Sequence, residues 1–159
     1  MTRSGADLAL LLLEGFRSLV EAAIAELAAH GYEDVRPAHD FAMRAIVDGA
    51  DNTSELARRL SVSKQAAAKT VAVLEDRGYV RREPDQSDAR RKRLLVTDLG
   101  HNVLRQGEAI FDDLRAQWAQ RIGRSQLETL EEHLQELIGP ARVRFDSPGW
   151  MTREAGEAL

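Results

Sequence analysis

Three observations predict a mainly α-helical fold carrying one small β-hairpin. Apolar residues recur at steps of three and four through most of the chain. One polar cluster, Glu83-Pro84-Asp85-Gln86-Ser87-Asp88, separates two short strand-like runs, Tyr79 to Arg82 and Arg93 to Val96. Basic residues crowd around that cluster, whereas the remainder of the chain is acidic.

The first helix is expected from about Asp7 to Ala29, with Leu8, Leu12, Phe16, Leu19, Ala23 and Leu27 in register. Leu11, Leu13, Val20 and Ile24 widen its apolar surface beyond one stripe, so this helix should be covered from two sides, the second by another copy of the chain. Gly31 suits a left-handed cap. Pro37 then opens a shorter helix over about Ala38 to Asp48, with Phe41, Ala45 and Ile46 inward. After the break at Gly49, Asp51 and Asn52, either Asn52 or Thr53 can cap a helix over Ser54 to Leu60. With Asn52 as the cap, Glu55 falls where a capping-box acid belongs.

Ser61-Val62-Ser63 joins that helix to another over Lys64 to Arg77. Ser63 is its expected N-cap, Gly78 its C-terminal stop, and Ala67, Val71 and Leu74 its inward face. Beyond the hairpin, Thr97 can cap a long helix from about Asp98 to Ile122. Its stripe is Leu99, Val103, Gly107, Ile110, Phe111, Leu114, Trp118 and Ile122. A last helix follows Ser125, carries Leu127, Leu130, Leu134 and Leu137, and stops at Pro140. The tail from Arg142 has no clear period, and no internal repeat is visible.

The formal charge of the 159 residues is -4, but its distribution is uneven. Between Arg58 and Arg93 there are 11 Lys or Arg against 5 Asp or Glu, a balance of +6, which leaves -10 for the rest. A basic segment on an acidic body is the electrostatic footprint of a nucleic-acid reader, although charge runs are also ordinary solvated surface. The absence of cysteine excludes disulfides, thiolate metal sites and thiol redox sensing. The apolar run Leu8 to Leu13 is far shorter than the roughly 20 residues a membrane span needs. It continues into the first helix, so it reads as mature structure and not as a leader, and a cytoplasmic protein is expected.

Two short helices joined by a tight turn, followed by a basic hairpin, form the arrangement with which a winged helix-turn-helix reads duplex DNA. The first helix braces the second, and the N-terminal residues of the second meet base edges in the major groove. Those residues are Ser63, Lys64, Gln65, Ala68 and Lys69. Gln65 can pair with adenine through two hydrogen bonds, and Lys64 or Lys69 can reach guanine or phosphate. Ala66, Ala67 and Ala68 permit close approach to DNA, though alanine is equally the best helix former. In the hairpin, Arg81, Arg82, Arg90, Arg91, Lys92 and Arg93 would repel one another unless phosphates or a narrow minor groove opposed them. Asp88, two residues before Arg90, is placed to orient that guanidinium, although a solvated surface ion pair would look the same.

On these residues the stretch Thr53 to Gly100 resembles the winged-helix core of the MarR family. The carriers are Ser54-Glu55-Leu56-Ala57 with Leu60, then Ser63-Lys64-Gln65, then Leu74-Glu75-Asp76-Arg77-Gly78-Tyr79-Val80-Arg81-Arg82. They continue as Asp88-Ala89-Arg90-Arg91-Lys92-Arg93-Leu94-Leu95-Val96-Thr97, with Gly100 after. The resemblance implies a homodimer whose N- and C-terminal helices interlock, a pseudo-palindromic double-stranded DNA operator, and repression relieved by a small lipophilic or phenolic effector. It implies DNA contacts from Ser63, Lys64, Gln65, Ala68, Lys69, Arg81, Asp88, Arg90, Arg91 and Arg93. Where the family commonly has a polar pair in the recognition helix, this chain has Ala67-Ala68, which leaves fewer base-reading side chains. An effector cleft would draw its walls from Phe16, His39, Phe41, Phe111 and Trp118, each of which also reads as plain core.

The expected organisation is an N-terminal dimerisation helix (1–36), a winged lobe (37–98), C-terminal dimerisation helices (99–140) and a tail (141–159), all in one intertwined domain. No phosphate loop, nucleophile motif or ligand-spaced histidine set points to an enzyme, and no cofactor or metal is expected. Two rival readings remain at this stage: a DNA-binding winged helix without effector, constitutive or architectural, and a winged helix used for protein contacts.

Overall fold

The computed structural model describes residues 4–139; the tail expected from Arg142, and the stop at Pro140, lie outside them. In chain order the elements are α1 (Gly5–Ala29), α2 (Pro37–Val47), α3 (Thr53–Leu60), α4 (Lys64–Asp76), β1 (Val80–Pro84), β2 (Lys92–Val96), α5 (Asp98–Ile122) and α6 (Arg124–Ile138). They fall into two compact units. One holds the chain to Val35 and from Gln106 to Ile138, and the other holds Arg36–Arg105.

The second unit is built on residues that local chemistry puts in place. Pro37 starts α2, whose N-terminus is closed by the imidazole Nδ1 of His39 accepting from the Arg36 backbone N–H (3.2 Å). Asn52 caps α3 by accepting from the Glu55 N–H (2.9 Å). The expected reciprocal bond gives way to a stronger attraction: the Glu55 carboxylate accepts from Arg58 and Arg59 instead. Ser61 then takes a left-handed conformation (φ 51°), turning the chain so that Val62 N–H reaches the Ala57 carbonyl (3.1 Å). Ser63 caps α4 through the Ala66 N–H (3.0 Å), and Gly78 (φ +71°) ends it.

Between these helices lies a continuous apolar core. Leu56 and Leu60 of α3 meet Ala67, Val71 and Leu74 of α4, with Ala42, Met43, Ala45 and Ile46 of α2 packed alongside. Phe41, expected inward, is only half-buried. Its neighbours Ala42 and Met43 take the innermost positions. The hairpin closes the unit with Val80 and Leu94, both buried. It is longer than the sequence predicts, because Pro84 at the strand end pairs with Lys92 and needs no ladder donor there.

In the other unit the C-terminal half of α1 is buried at Ala23 and Leu27, and α5 at Gly107 and Ile110. α6 is tied to α5 by a two-pronged pair in which Arg115 Nε and Nη2 each donate to the Glu131 carboxylate at 2.6 Å. Much of the predicted stripe is uncovered: Leu8, Leu12, Phe16, Phe111, Ile122, Leu130 and Leu137 are all exposed.

Four carboxylates are held below their ordinary pKa by hydrogen bonds: Asp7 by Ser4, Glu55 by Arg58 and Arg59, Asp85 by Ser87 and Glu131 by Arg115. A lowered carboxylate pKa contributes stability above the unfolded value, and that stability is lost as pH falls through the folded value. Thermal midpoints should therefore stay level from neutrality down to about pH 5 and then fall below about pH 4. An equal midpoint at pH 3 and pH 7 would show that these pairs hold nothing.

Candidate nucleic-acid interface

α4 turns its buried face to α2 and α3, which leaves Lys64, Gln65, Ala66, Ala68, Lys69 and Ala72 exposed, with Ser63 just before them. Among the described residues the side chains of Lys64, Gln65 and Lys69 have no partner, so their donors face solvent unengaged. Thr70 is spent within the helix, its hydroxyl donating to the Ala66 carbonyl (3.2 Å). Beyond Lys69 the exposed surface of α4 carries no further cation or amide, only Ala72 and the acidic Asp76, beside a half-buried Glu75.

The wing divides its cations into two sets. Three are held by carboxylates: Arg81 by Glu83 (2.7 Å), Arg82 by Glu75 on α4 (2.9 Å) and Arg91 by Asp51 in the loop before α3 (2.9 Å). Three have no partner among the described residues: Arg90, Lys92 and Arg93. Lys92 was not among the predicted contacts. Its strand-end place beside the polar tip was the available signal.

Asp88 does hold Arg90, but not by the guanidinium. Its Oδ1 accepts from the Arg90 backbone N–H (3.0 Å), while the Asp88 carbonyl accepts from Arg91 N–H (2.9 Å). The reason is distance along the chain: a carboxylate reaches the backbone two residues on with little loss of entropy, forming a local turn. Asp85 braces the same tip, its Oδ1 accepting from the Ser87 N–H (2.7 Å) and hydroxyl (2.5 Å). The result is a stiff tip with a free arginine at its end.

In the ladder Arg82 pairs with Leu94 and Glu83 with Arg93. Alternation puts Val80, Arg82, Leu94 and Lys92 on one face, where Leu94 is buried and Arg82 meets α4. Arg81, Glu83 and Arg93 share the other.

Residues 41–91 match the sequence model of the MarR family. That stretch, which runs from α2 to the tip of the hairpin, is similar to that family's winged helix. Three solved structures are similar in fold over most of the chain. A MarR-family transcriptional regulator from Rhodococcus sp. RHA1 is 20% identical, with a TM-score of 0.62 over 89% of this chain and 99% of its own. A MepR mutant from S. aureus bound to an oligodeoxyribonucleotide is 16% identical (TM-score 0.61, 82% of this chain and 94% of its own). CouR from Rhodococcus jostii RHA1 bound to p-coumaroyl-CoA is 22% identical (TM-score 0.59, 86% and 95%).

In that likeness α4 stands at the position of a recognition helix and the hairpin at that of a wing. The five residues proposed for an effector cleft are divided between the two units. Phe16 and Phe111 are exposed and Trp118 half-buried in one, while His39 is buried and Phe41 half-buried in the other. His39 also serves the α2 N-terminus. Among the described residues no helix is long and apolar enough to cross a membrane, and no group of three His, Cys, Asp or Glu is placed to hold a metal ion.

Proposed function

We propose that the chain is a sequence-specific transcription regulator of MarR type that binds duplex DNA as a homodimer in the cytoplasm. The observation that carries this reading is the set of unpartnered groups Lys64, Gln65 and Lys69 on α4 with Arg90, Lys92 and Arg93 on the wing. Cations left without carboxylates next to a groove-sized helix gain most from phosphate, because each neutralised phosphate releases condensed counterions. The oligonucleotide bound by the MepR mutant supports the same reading.

Dimerisation rests on unit one. Leu8, Leu10, Leu11, Leu12 and Leu13 are each about half exposed, and Phe16, Phe111 and Leu130 are more than two-fifths exposed. A soluble monomer rarely leaves so continuous an apolar surface in water, and a second copy covers it best because the helices then bury identical faces. A two-fold dimer places two recognition helices on one duplex, hence a pseudo-palindromic operator. Replacing Phe16 and Leu130 together by alanine should weaken the dimer about 100-fold in sedimentation while leaving helix content unchanged. A dimer of wild-type strength would move the interface elsewhere.

Repression relieved by a lipophilic or phenolic effector is the regulatory part of the proposal. The p-coumaroyl-CoA held by CouR supports an aromatic acyl class of ligand. A thermal-shift screen with phenolic acids and their thioesters should return stabilising hits. A clean negative would favour a regulator without effector.

The deciding experiment titrates the protein against its own upstream DNA and a scrambled duplex over a range of salt. Binding tighter on the upstream duplex by at least about 1,000-fold, with steep salt dependence, supports a specific regulator. Equal, weak binding to both would sink it.

A further inference from the structure

We infer that Asp51 is a positioning residue for DNA binding: through Arg91 it sets the pose of the wing, so that Arg91 acts inside the protein and Arg90 on the DNA. This rests on the reading of the lobe as a DNA reader. Asp51 lies in the loop before α3, 40 residues from Arg91 in the chain. Asp51 accepts three hydrogen bonds. Its carbonyl accepts from the Leu94 N–H of β2 (2.7 Å), and its Oδ1 accepts from Arg91 Nη2 (2.9 Å) and from the Asn52 side-chain amide (2.9 Å). Asn52 is in turn the cap of α3. One residue thus joins the wing strand, the wing tip and the start of the helix that braces α4.

An exposed ion pair alone would count for little, since ordering two long side chains offsets most of the attraction. Here much of that ordering is already done. The Arg91 N–H donates to the Asp88 carbonyl (2.9 Å) and its own carbonyl accepts from Asp85 N–H (2.7 Å), so the backbone under the guanidinium is fixed from both sides. The Asp51 backbone is fixed likewise by Leu94. On the opposite strand Arg82 grips Glu75 of α4 (2.9 Å). The hairpin is therefore anchored at both strands, one to the loop that leads into α3 and the other to α4, and the angle at which Arg90 leaves the protein is set by those anchors.

The test compares Asp51→Asn, Arg91→Ala and the exchanged pair Asp51→Arg with Arg91→Asp, each alongside Arg90→Ala. Asp51→Asn keeps an oxygen for the Asn52 amide and loses the ion pair, so the α3 cap survives. Asp51→Asn and Arg91→Ala should each weaken operator binding about threefold to tenfold, be non-additive when combined, and leave the slope of log K against log salt unchanged. The exchanged pair should recover most of the affinity. Arg90→Ala, by contrast, should flatten the slope by about 1. On the free protein, Asp51→Asn should speed amide exchange at Arg91 to Leu94, a readout that needs no DNA. The inference is overturned if Arg91→Ala flattens the slope while Asp51→Asn leaves affinity and amide exchange as in the wild type, because Arg91 would then be a phosphate ligand. Failure of the wild type to prefer its operator would instead strike the DNA-binding reading, and the exchange measurement would still decide whether Asp51 fixes the wing.

Discussion

Gly100→Ala is expected to destabilise the protein by about 2–3 kcal/mol, lowering the thermal midpoint by roughly 5–10 °C. Gly100 sits in the first turn of α5 against the end of α4. A methyl group there would lie 2.2 Å from the Tyr79 carbonyl oxygen and 2.7 Å from Val96 Cγ1. The carbonyl cannot rotate away, because it accepts from Thr97 N–H (3.0 Å). Thr97 is itself committed twice more, its hydroxyl donating to the Gly78 carbonyl (2.6 Å) and accepting from the Gly100 N–H (3.1 Å). Tyr79 N–H meanwhile donates to the Leu74 carbonyl (2.9 Å), closing α4. Alanine would gain about 1 kcal/mol in helix propensity, but a backbone overlap of this depth outweighs it. Gly5→Ala is the matched control, since nothing lies within 4 Å of the added methyl and its midpoint should hold or rise. A Gly100→Ala midpoint equal to wild type would mean that the Thr97 knot yields freely.

That knot shows where the sequence is legible and where it is not. Thr97 is readable as a cap and Gly78 as a stop, because both follow from chemistry confined to neighbouring residues. The inward set Ala67, Val71 and Leu74 is readable from period alone. The need for glycine at position 100 is not, since it arises from a carbonyl 21 residues earlier in the chain. The wing follows the same division. Its concentration of arginines is plain in the sequence, but their sorting into held and free is settled by Asp51, Glu75 and Glu83, of which only Glu83 lies in the hairpin itself. Asp88 illustrates a finer limit. Its spacing from Arg90 identifies the partner correctly, yet backbone and guanidinium are both within reach of a carboxylate, and spacing cannot choose between them. For the stripe on α1, α5 and α6 the period is legible, but its exposure is not, because spacing marks an apolar face without saying what covers it.

Arg90→Ala is expected to weaken operator binding by roughly 10- to 100-fold while leaving the dimer and the thermal midpoint unchanged. The separation of the two effects follows from the geometry. The Arg90 side chain is exposed and has no partner among the described residues, so the folded protein loses no contact when it is removed. Its backbone N–H still donates to Asp88, so the tip keeps its shape with alanine in place. What is lost is a guanidinium carried at the end of a stiff hairpin, where little entropy remains to be surrendered on binding. A mobile arginine would surrender more and bind less firmly for the same contact. Asp88→Ala should reproduce part of the loss by the opposite route, freeing the tip while keeping the charge. It should therefore weaken binding less than Arg90→Ala and leave the salt slope intact, whereas Arg90→Ala should reduce that slope by about 1. Wild-type affinity for Arg90→Ala would take the wing out of the mechanism and leave Lys64, Gln65 and Lys69 of α4 to carry recognition alone, which three polar side chains among alanines are poorly equipped to do.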